Sequence, residues 1–371
     1  MPARCLACCL ELRGIFQEGP KTMGKVRVGF AGVGFMGQVA HLRNYVRNPE
    51  CEVVALAEPR PELARRVAAK YGIEKVYRNH HELAEDPDVE AVVASQPHLM
   101  NGYIALPLLK AGKHVFVEKP MAGSAAEAED MVAAAAGSGV MLMAGFMKRY
   151  DRGVNLAKER LDAAYASRLF GATQLVNAWC MGGDWLRNVE RPIMTGELVP
   201  PQPGFAPRNP DWMSPPQQAT FNTYMNIFAH NLNLVRYLFP GKLTVRSALL
   251  REGMLNQSTQ LESGGVLVNL YGVSVQSEWW LEKTEVFFER GWVRVDTPSP
   301  MSEQDAARVE VYNGQTRTTE ILNGEPCWAF RAQAEHFIDC IKNRKAPCSN
   351  GEDCLEDMRL MEDVFRKAQW V

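Results

Sequence analysis

The spacing of apolar and polar residues changes character once along this chain, near residue 150. From residue 25 to that point, short apolar runs alternate with segments whose apolar residues recur every three or four positions. Val26, Val28 and Phe30 mark the first run, and residues 51–57, 75–77, 114–117 and 140–144 supply others. Residues 89–95, broken only by Glu90, form the continuous apolar stretch expected of a strand buried on both faces. Helical spacing occupies 38–46, 62–71, 81–84, 101–111 before Gly112, and the alanine-rich 125–136. Strands alternating with helices predict a doubly wound parallel sheet with right-handed crossovers. In such a sheet the ligand lies beyond the carboxyl ends of the strands.

After Tyr150 the texture is different. A helical stretch at 154–162 leads to an extended one at 169–179, then to a loop-rich span, 182–216, crowded with Pro, Gly, Asp and Trp. Helix returns at 220–238. Alternating, β-branched segments between 243 and 322 predict an antiparallel sheet with a hairpin at Arg290 and Gly291, and 328–342 and 352–367 are again helical. The expected organisation is an α/β protein with a dinucleotide-binding Rossmann domain over 23–150 and an α+β domain over 151–371, preceded by a leader over 1–22 that is disordered or loosely packed. Met23 stands directly before the first strand as an alternative start.

The dinucleotide expectation comes from the first strand's exit. Gly32, Gly34 and Gly37, with Phe35 and Met36 between them, make a G-x-G-x-x-G loop between strand and helix. Gly32 suits the tight turn, Gly34 a close approach of backbone to a pyrophosphate, and Gly37 close packing of the helix on the strand. Glu58 ends the second strand about twenty residues on, where a carboxylate accepts hydrogen bonds from the adenosine ribose and repels a 2′-phosphate, favouring NAD over NADP. Arg60 works against that exclusion, because a guanidinium two residues on can hold a phosphate. The loops 31–37, 58–60, 95–101 and 118–121 are expected to meet at one crevice, which adds Ser95, Gln96, Pro97, His98, Asn101 and Glu118 to the cofactor-binding candidates.

Composition narrows the class of partner. Among 371 residues, 41 Lys and Arg nearly balance 43 Asp and Glu, so the net charge of −2 gives no reason to propose nucleic acid or a membrane surface. No apolar run approaches a membrane span, and Glu11 and Arg13 interrupt the apolar leader, so it does not read as a signal peptide. Nine irregularly spaced cysteines point to reduced thiols and a cytoplasmic location. Cys5, Cys8 and Cys9 lack a second ligand pair, so no metal is expected.

Two stretches carry candidate chemistry. Glu118-Lys119-Pro120 follows the fifth strand, where a lysine ammonium can face a substrate oxygen beside a nicotinamide. Asn226 and His230 lie four apart on the 220–238 helix and share one face; histidine titrates near neutrality and can take an alcohol proton as hydride leaves. The ordered set of the glycine loop, Glu118-Lys-Pro120, Met147-Lys-Arg149 and His230 before Leu234-Val-Arg-Tyr-Leu-Phe239 resembles the glucose-fructose oxidoreductase and inositol dehydrogenase (Gfo/Idh/MocA) family. The resemblance extends to 337–353. It implies a C-terminal open sheet that mediates dimers or tetramers, NAD(P)-dependent oxidation or reduction of sugars and cyclitols, and a catalytic Lys-Asp-His set.

The chain departs from that set. Lys119 and His230 match, but Asn226 stands where the resemblance implies Asp, and an amide neither accepts a proton nor stabilises an imidazolium by charge. Pro97 is kept, with His98 and Asn101 in exchanged order. Arg149, Trp179, Asp184, Trp185 and Tyr224 are candidate substrate residues, with Asp184 a replacement for the missing carboxylate; Trp279 and Trp280 read as interface or core. The expected activity is hydride transfer between NAD and a secondary alcohol of a sugar, glycoside or cyclitol, with His230 as acid/base, Lys119 polarising the oxygen and Asn226 orienting either partner. Two alternatives share the fold: a glycosidase that oxidises, eliminates, hydrates and reduces on retained NAD, and a non-catalytic sugar sensor.

Overall fold

The computed structural model describes residues 24–187, 189–251 and 256–371. The expectations for residues 1–22 and for Cys5, Cys8 and Cys9 lie outside the described residues. Strands β1 (Val26–Ala31), β2 (Cys51–Ala57), β3 (Lys75–Tyr77), β4 (Ala91–Ala94), β5 (His114–Val117) and β6 (Leu142–Ala144) form a six-stranded sheet in the order β3-β2-β1-β4-β5-β6. Every neighbouring pair is parallel. The connections are a π-helical turn (Gly37–Leu42) running into α1 (Arg43–Arg47), then α2 (Pro61–Tyr71), α3 (His80–Glu85), α4 (Asn101–Lys110) and α5 (Ala125–Ser138). Val28, Phe30, Val92, Val93, Phe116 and Val117 are fully buried, the physical reason these strands read as unbroken apolar runs. Strand order reverses between β1 and β4, so the crevice opens at their carboxyl ends.

The second sheet has nine strands. Helix α6 (Arg152–Ser167) leads to β7 (Thr173–Gly182), and α7 (Pro215–Leu238) precedes β8 (Thr244–Leu250), β9 (Asn256–Ser263), β10 (Val266–Val273), β11 (Leu281–Phe288), β12 (Gly291–Asp296), β13 (Arg308–Asn313) and β14 (Thr318–Asn323). After α8 (Ala329–Asn343) and α9 (Gly351–Arg366), the short β15 (Ala368–Trp370) closes the order β14-β13-β12-β11-β7-β10-β9-β8-β15. Pairing is antiparallel except for β7 with β10 and β8 with β15. Alternation follows burial: Val176, Ala178, Val268, Leu270 and Val286 point into the core, while Tyr271 and Trp292 stand half-buried on the other face, where Trp292 stacks on Tyr312 at 4.1 Å. Helix α7 starts five residues before the expected point, because Ser214, whose N–H donates to Gln217 Oε1 at 2.9 Å, and Pro215 make a favourable first turn.

The two sheets are tied together twice. Helix α8 packs on the first sheet, with the Phe337 ring 6.0 Å from Phe116, and Ala144 N donates to Ser349 O at 2.9 Å beside a Met143–Asn350 bridge. The loop-rich span between β7 and α7 is fastened across the carboxyl ends of the parallel strands. Gln38 exchanges two hydrogen bonds with the backbone of Ile193 (2.9 and 3.0 Å), Glu197 accepts from Glu62 N and Leu63 N at the start of α2, and Tyr103 Oη donates to Pro203 O at 2.7 Å.

Candidate active site

The glycine loop has the geometry its spacing predicts. Gly32 adopts φ +86°, and a Cβ there would lie 2.6 Å from Ser95 O; one on Gly37 would lie 2.7 Å from Gly32 O. Neither position accepts a side chain. Gly34, by contrast, has nothing nearer a Cβ than Arg60 Nη2 at 3.6 Å, so its surface is open to a ligand. Gly34, Phe35, Met36, Ser95, Gln96 and Pro97 line a cleft of about 740 Å³, and Gln96 Oε1 is a buried acceptor without a partner there. These residues fit a dinucleotide.

Glu58 is arranged differently from its expected role. Its buried carboxylate accepts from Val33 N (3.1 Å), Arg60 N (3.2 Å), Arg60 Nε (2.7 Å) and Arg60 Nη2 (3.0 Å). A carboxylate has about four acceptor positions, so Glu58 holds the loop and the guanidinium rather than presenting oxygens. Arg60 is the charged group that faces the cleft beside Gly34.

At the other end, the turn after β5 delivers Lys119. Asn101, fully buried, donates to Glu118 O (2.7 Å) and Pro120 O (2.8 Å) and accepts from Gln96 Nε2 (3.1 Å); it clasps the turn and does not line the cleft. The Glu118 carboxylate is occupied by His41 Nε2 at 2.6 Å and by Lys119 N at 2.9 Å. Lys119 Nζ then reaches across to α7, donating to Asn226 O (2.7 Å) and Asn226 Oδ1 (3.2 Å), with His230 one turn further on. All three line the cleft, as does His98. Burial, helped by Lys148 and opposed by Glu118, lowers Lys119 to about 8. Burial and the two flanking ammonium groups of Lys119 and Lys148 push His230 well below the ordinary histidine value, and its Nδ1 has no partner.

Several expected substrate residues are elsewhere. Arg149 is buried in an ion-pair network, donating to Asp353 Oδ2 (2.6 Å), Asn233 Oδ1 (2.8 Å) and Cys348 O (2.9 Å), and it anchors the C-terminal helices rather than a ligand. Tyr224 is fully buried against Phe228 and Phe365. Trp179 lies on the sheet with Lys283 5.9 Å from its ring centroid. Asp184 is exposed and accepts from Leu186 N at 3.0 Å, so it does not replace the missing carboxylate. Trp185 does reach the cleft, edge-on to Phe35 at 6.3 Å between centroids.

What sequence reasoning missed is a buried pair behind His230. Lys148 Nζ is bonded to Glu282, which also accepts from Asn231 Nδ2 (3.0 Å) and Trp280 Nε1 (3.1 Å). Lys148 and Trp280 line the cleft; Trp280 is therefore not a core residue. The separation of 134 positions between Lys148 and Glu282 leaves no local signal for the pair.

Comparison with known proteins agrees with this geometry. Residues 26–146 match an oxidoreductase family with an NAD-binding Rossmann fold. The chain is 32% identical over 137 residues to a myo-inositol 2-dehydrogenase from Thermotoga maritima, a match covering 37% of this chain and 41% of that protein. It is 23% identical over 345 residues to a scyllo-inositol 2-dehydrogenase (NAD(+)) from Bacillus subtilis, covering 87% and 88%. A solved 3-ketoreductase from Actinomadura kijaniata, in complex with NADP, shares the fold with a TM-score of 0.72 at 20% identity, over 94% of this chain and 99% of that one.

Proposed function

The chain belongs to the Gfo/Idh/MocA oxidoreductase family, and on that premise we propose that it transfers hydride between a nicotinamide dinucleotide and a secondary alcohol of a carbohydrate or cyclitol derivative. The observation that carries the reading is the meeting of Lys119, from the carboxyl end of the parallel sheet, with Asn226 and His230 from α7, in the cleft that also contains the glycine loop. The dinucleotide supplies the hydride carrier. The chain supplies the proton path. Lys119, bonded only to neutral oxygens of Asn226, is the group that takes the hydroxyl proton as its free amine and releases it to solvent; in the reverse direction its ammonium returns it. His230, flanked by two cations and by no carboxylate partner among the described residues, stays neutral and orients the reacting oxygen by a hydrogen bond. In this reading the roles expected of Lys119 and His230 from the sequence are exchanged, because Asn226 lacks the charge an imidazolium needs.

For the cofactor, the occupied oxygens of Glu58 and the position of Arg60 support acceptance of NADP as well as NAD. The half-buried aromatic face of the second sheet supports assembly of like subunits through it. No helix among the described residues is long and apolar enough to cross a membrane. Incubating the protein with each dinucleotide and a panel of sugars, glycosides and cyclitols, and following reduced-nicotinamide absorbance, tests the central reading. Accumulation of reduced cofactor that disappears in Lys119→Ala is expected. Hydrolysis of a glycoside without net reduction would replace the dehydrogenase with the glycosidase alternative.

A further inference from the structure

The wall of the cleft formed by the second sheet is poor in groups that recognise hydroxyls. It is built from the end of β7 at Cys180 and Gly182, from Val273 at the end of β10 and Val275 after it, and from Trp280 before β11. The polar groups near it are already engaged. Trp280 spends its indole N–H on Glu282 (3.1 Å), Lys148 spends its ammonium on the same carboxylate, and Glu118 is held by His41. The carboxylate in the cleft lining among the described residues, Glu118, already accepts from His41 Nε2 and from Lys119 N. Outside the glycine-loop end, what remains for a polyol is Lys119, Asn226, His230, Ser274 and His98, whose Nε2 is buried without a partner.

This wall is fixed rather than loose. Val275 N donates to Met181 O at 3.1 Å and Asp184 N to Ser277 O at 2.8 Å, and Gly183 is so closely covered that a Cβ there would lie 2.1 Å from Trp279 O. Val275 nevertheless exposes 45% of its surface, and Trp185, 37% exposed, stands at the cleft. A free sugar or inositol placed here would set its hydroxyls against carbon and sulfur, and each one buried there without a partner would count against binding. An apolar ring would bury against the same atoms favourably.

We propose that the substrate is a glycoside with an apolar ring as aglycone, whose sugar meets Lys119, Asn226 and His230 while the aglycone lies on Val275, Trp280 and Trp185. The inference rests on the reading of the cleft as a carbohydrate redox site, and it fixes the substrate class within that reading. The test uses the full chain loaded with dinucleotide and matched methyl and phenyl glycosides of glucose, galactose and xylose in both anomers, with free sugars and myo-inositol alongside. Binding is measured by calorimetry and turnover by absorbance. The phenyl member of at least one pair should bind, and react with kcat/KM, about tenfold or more better than its methyl partner. Val275→Asp, checked for folding by circular dichroism, should bring that ratio close to one. Equal binding of both members of every pair, preference for a free sugar or cyclitol, or no binding by any glycoside would overturn the aglycone assignment. Tight, phenyl-selective binding with no change in cofactor redox state would leave it standing and remove the oxidoreductase reading instead.

Discussion

Asn226→Asp is the substitution that separates the two lysine and histidine assignments. It places a carboxylate where Asn226 Oδ1 now lies, 3.2 Å from Lys119 Nζ. Lys119 titrates at about 8 in the native cleft. A unit charge at that separation is worth about 5 kcal/mol at an effective dielectric of about 20, but Lys119 is only partly buried and Asn226 is exposed, and water there discounts the figure. Carboxylates this close raise an ammonium pKa by about 1–3 units, or about 1.4–4 kcal/mol. The sign follows from which form works. Alcohol oxidation needs the free amine, so in the native protein kcat for oxidation rises with pH through a midpoint at about 8. The variant holds its proton longer, so the midpoint moves up and oxidation at neutral pH falls by about ten- to a thousandfold. Carbonyl reduction, which needs the ammonium, persists to correspondingly higher pH. Steady-state profiles in both directions, at saturating cofactor and substrate, give the two midpoints. A native midpoint below about 6, or an unmoved midpoint in the variant, would return proton transfer to His230.

Replacing Arg60 by Ala should lower the ratio of kcat/KM for NADP to that for NAD by about tenfold, since one charge-assisted contact to a phosphate is lost; an unchanged ratio would mean that Arg60 does not reach the 2′ position. Lys148→Met leaves Glu282 buried without its counter-charge and should destabilise the fold by about 3–5 kcal/mol in urea titration, whereas the double change Lys148→Met with Glu282→Leu should recover much of the loss. Burial lowers His80 and His98 to about 4 each, so both are neutral when folded, and the unfolded chain takes up the protons first. Stability is then full above the unfolded value of about 6.5 and declines as pH falls from there to about 4, with His80→Phe showing a shallower decline; a pH-independent unfolding free energy across that window would refute the linkage.

The alternation of apolar runs and helical spacing is enough to read both sheets, because the central parallel strands β1, β4 and β5 are buried on both faces and strands such as β11 and β12 of the second sheet on one. The glycine loop and Glu118-Lys-Pro120 were legible for the same reason: their position after a strand decides where they lie. Arg149 and Tyr224 were misplaced because a polar residue in sequence looks the same whether its partner is a ligand or, like Asp353, a carboxylate 204 positions away. Glu282 and Trp280 went unseen as site residues since nothing local distinguishes a buried carboxylate from the solvated ones on the same strand. Glu58 shows a subtler failure: its position was correct, but the neighbour two residues on takes up its oxygens.

The seam at Ser349 and Asn350 has a mechanical consequence. Strand β6 ends the parallel sheet, and its outer side would otherwise offer unpaired amides to any extended peptide; Ala144 N and Met143 instead meet a segment that arrives from the far end of the polypeptide. A ribosome must therefore deliver residues 349 and 350 before the first lobe can be sealed, and a cut that removes α8 and α9 with the segment between them would leave that border sticky as well as weakening the core around Phe116.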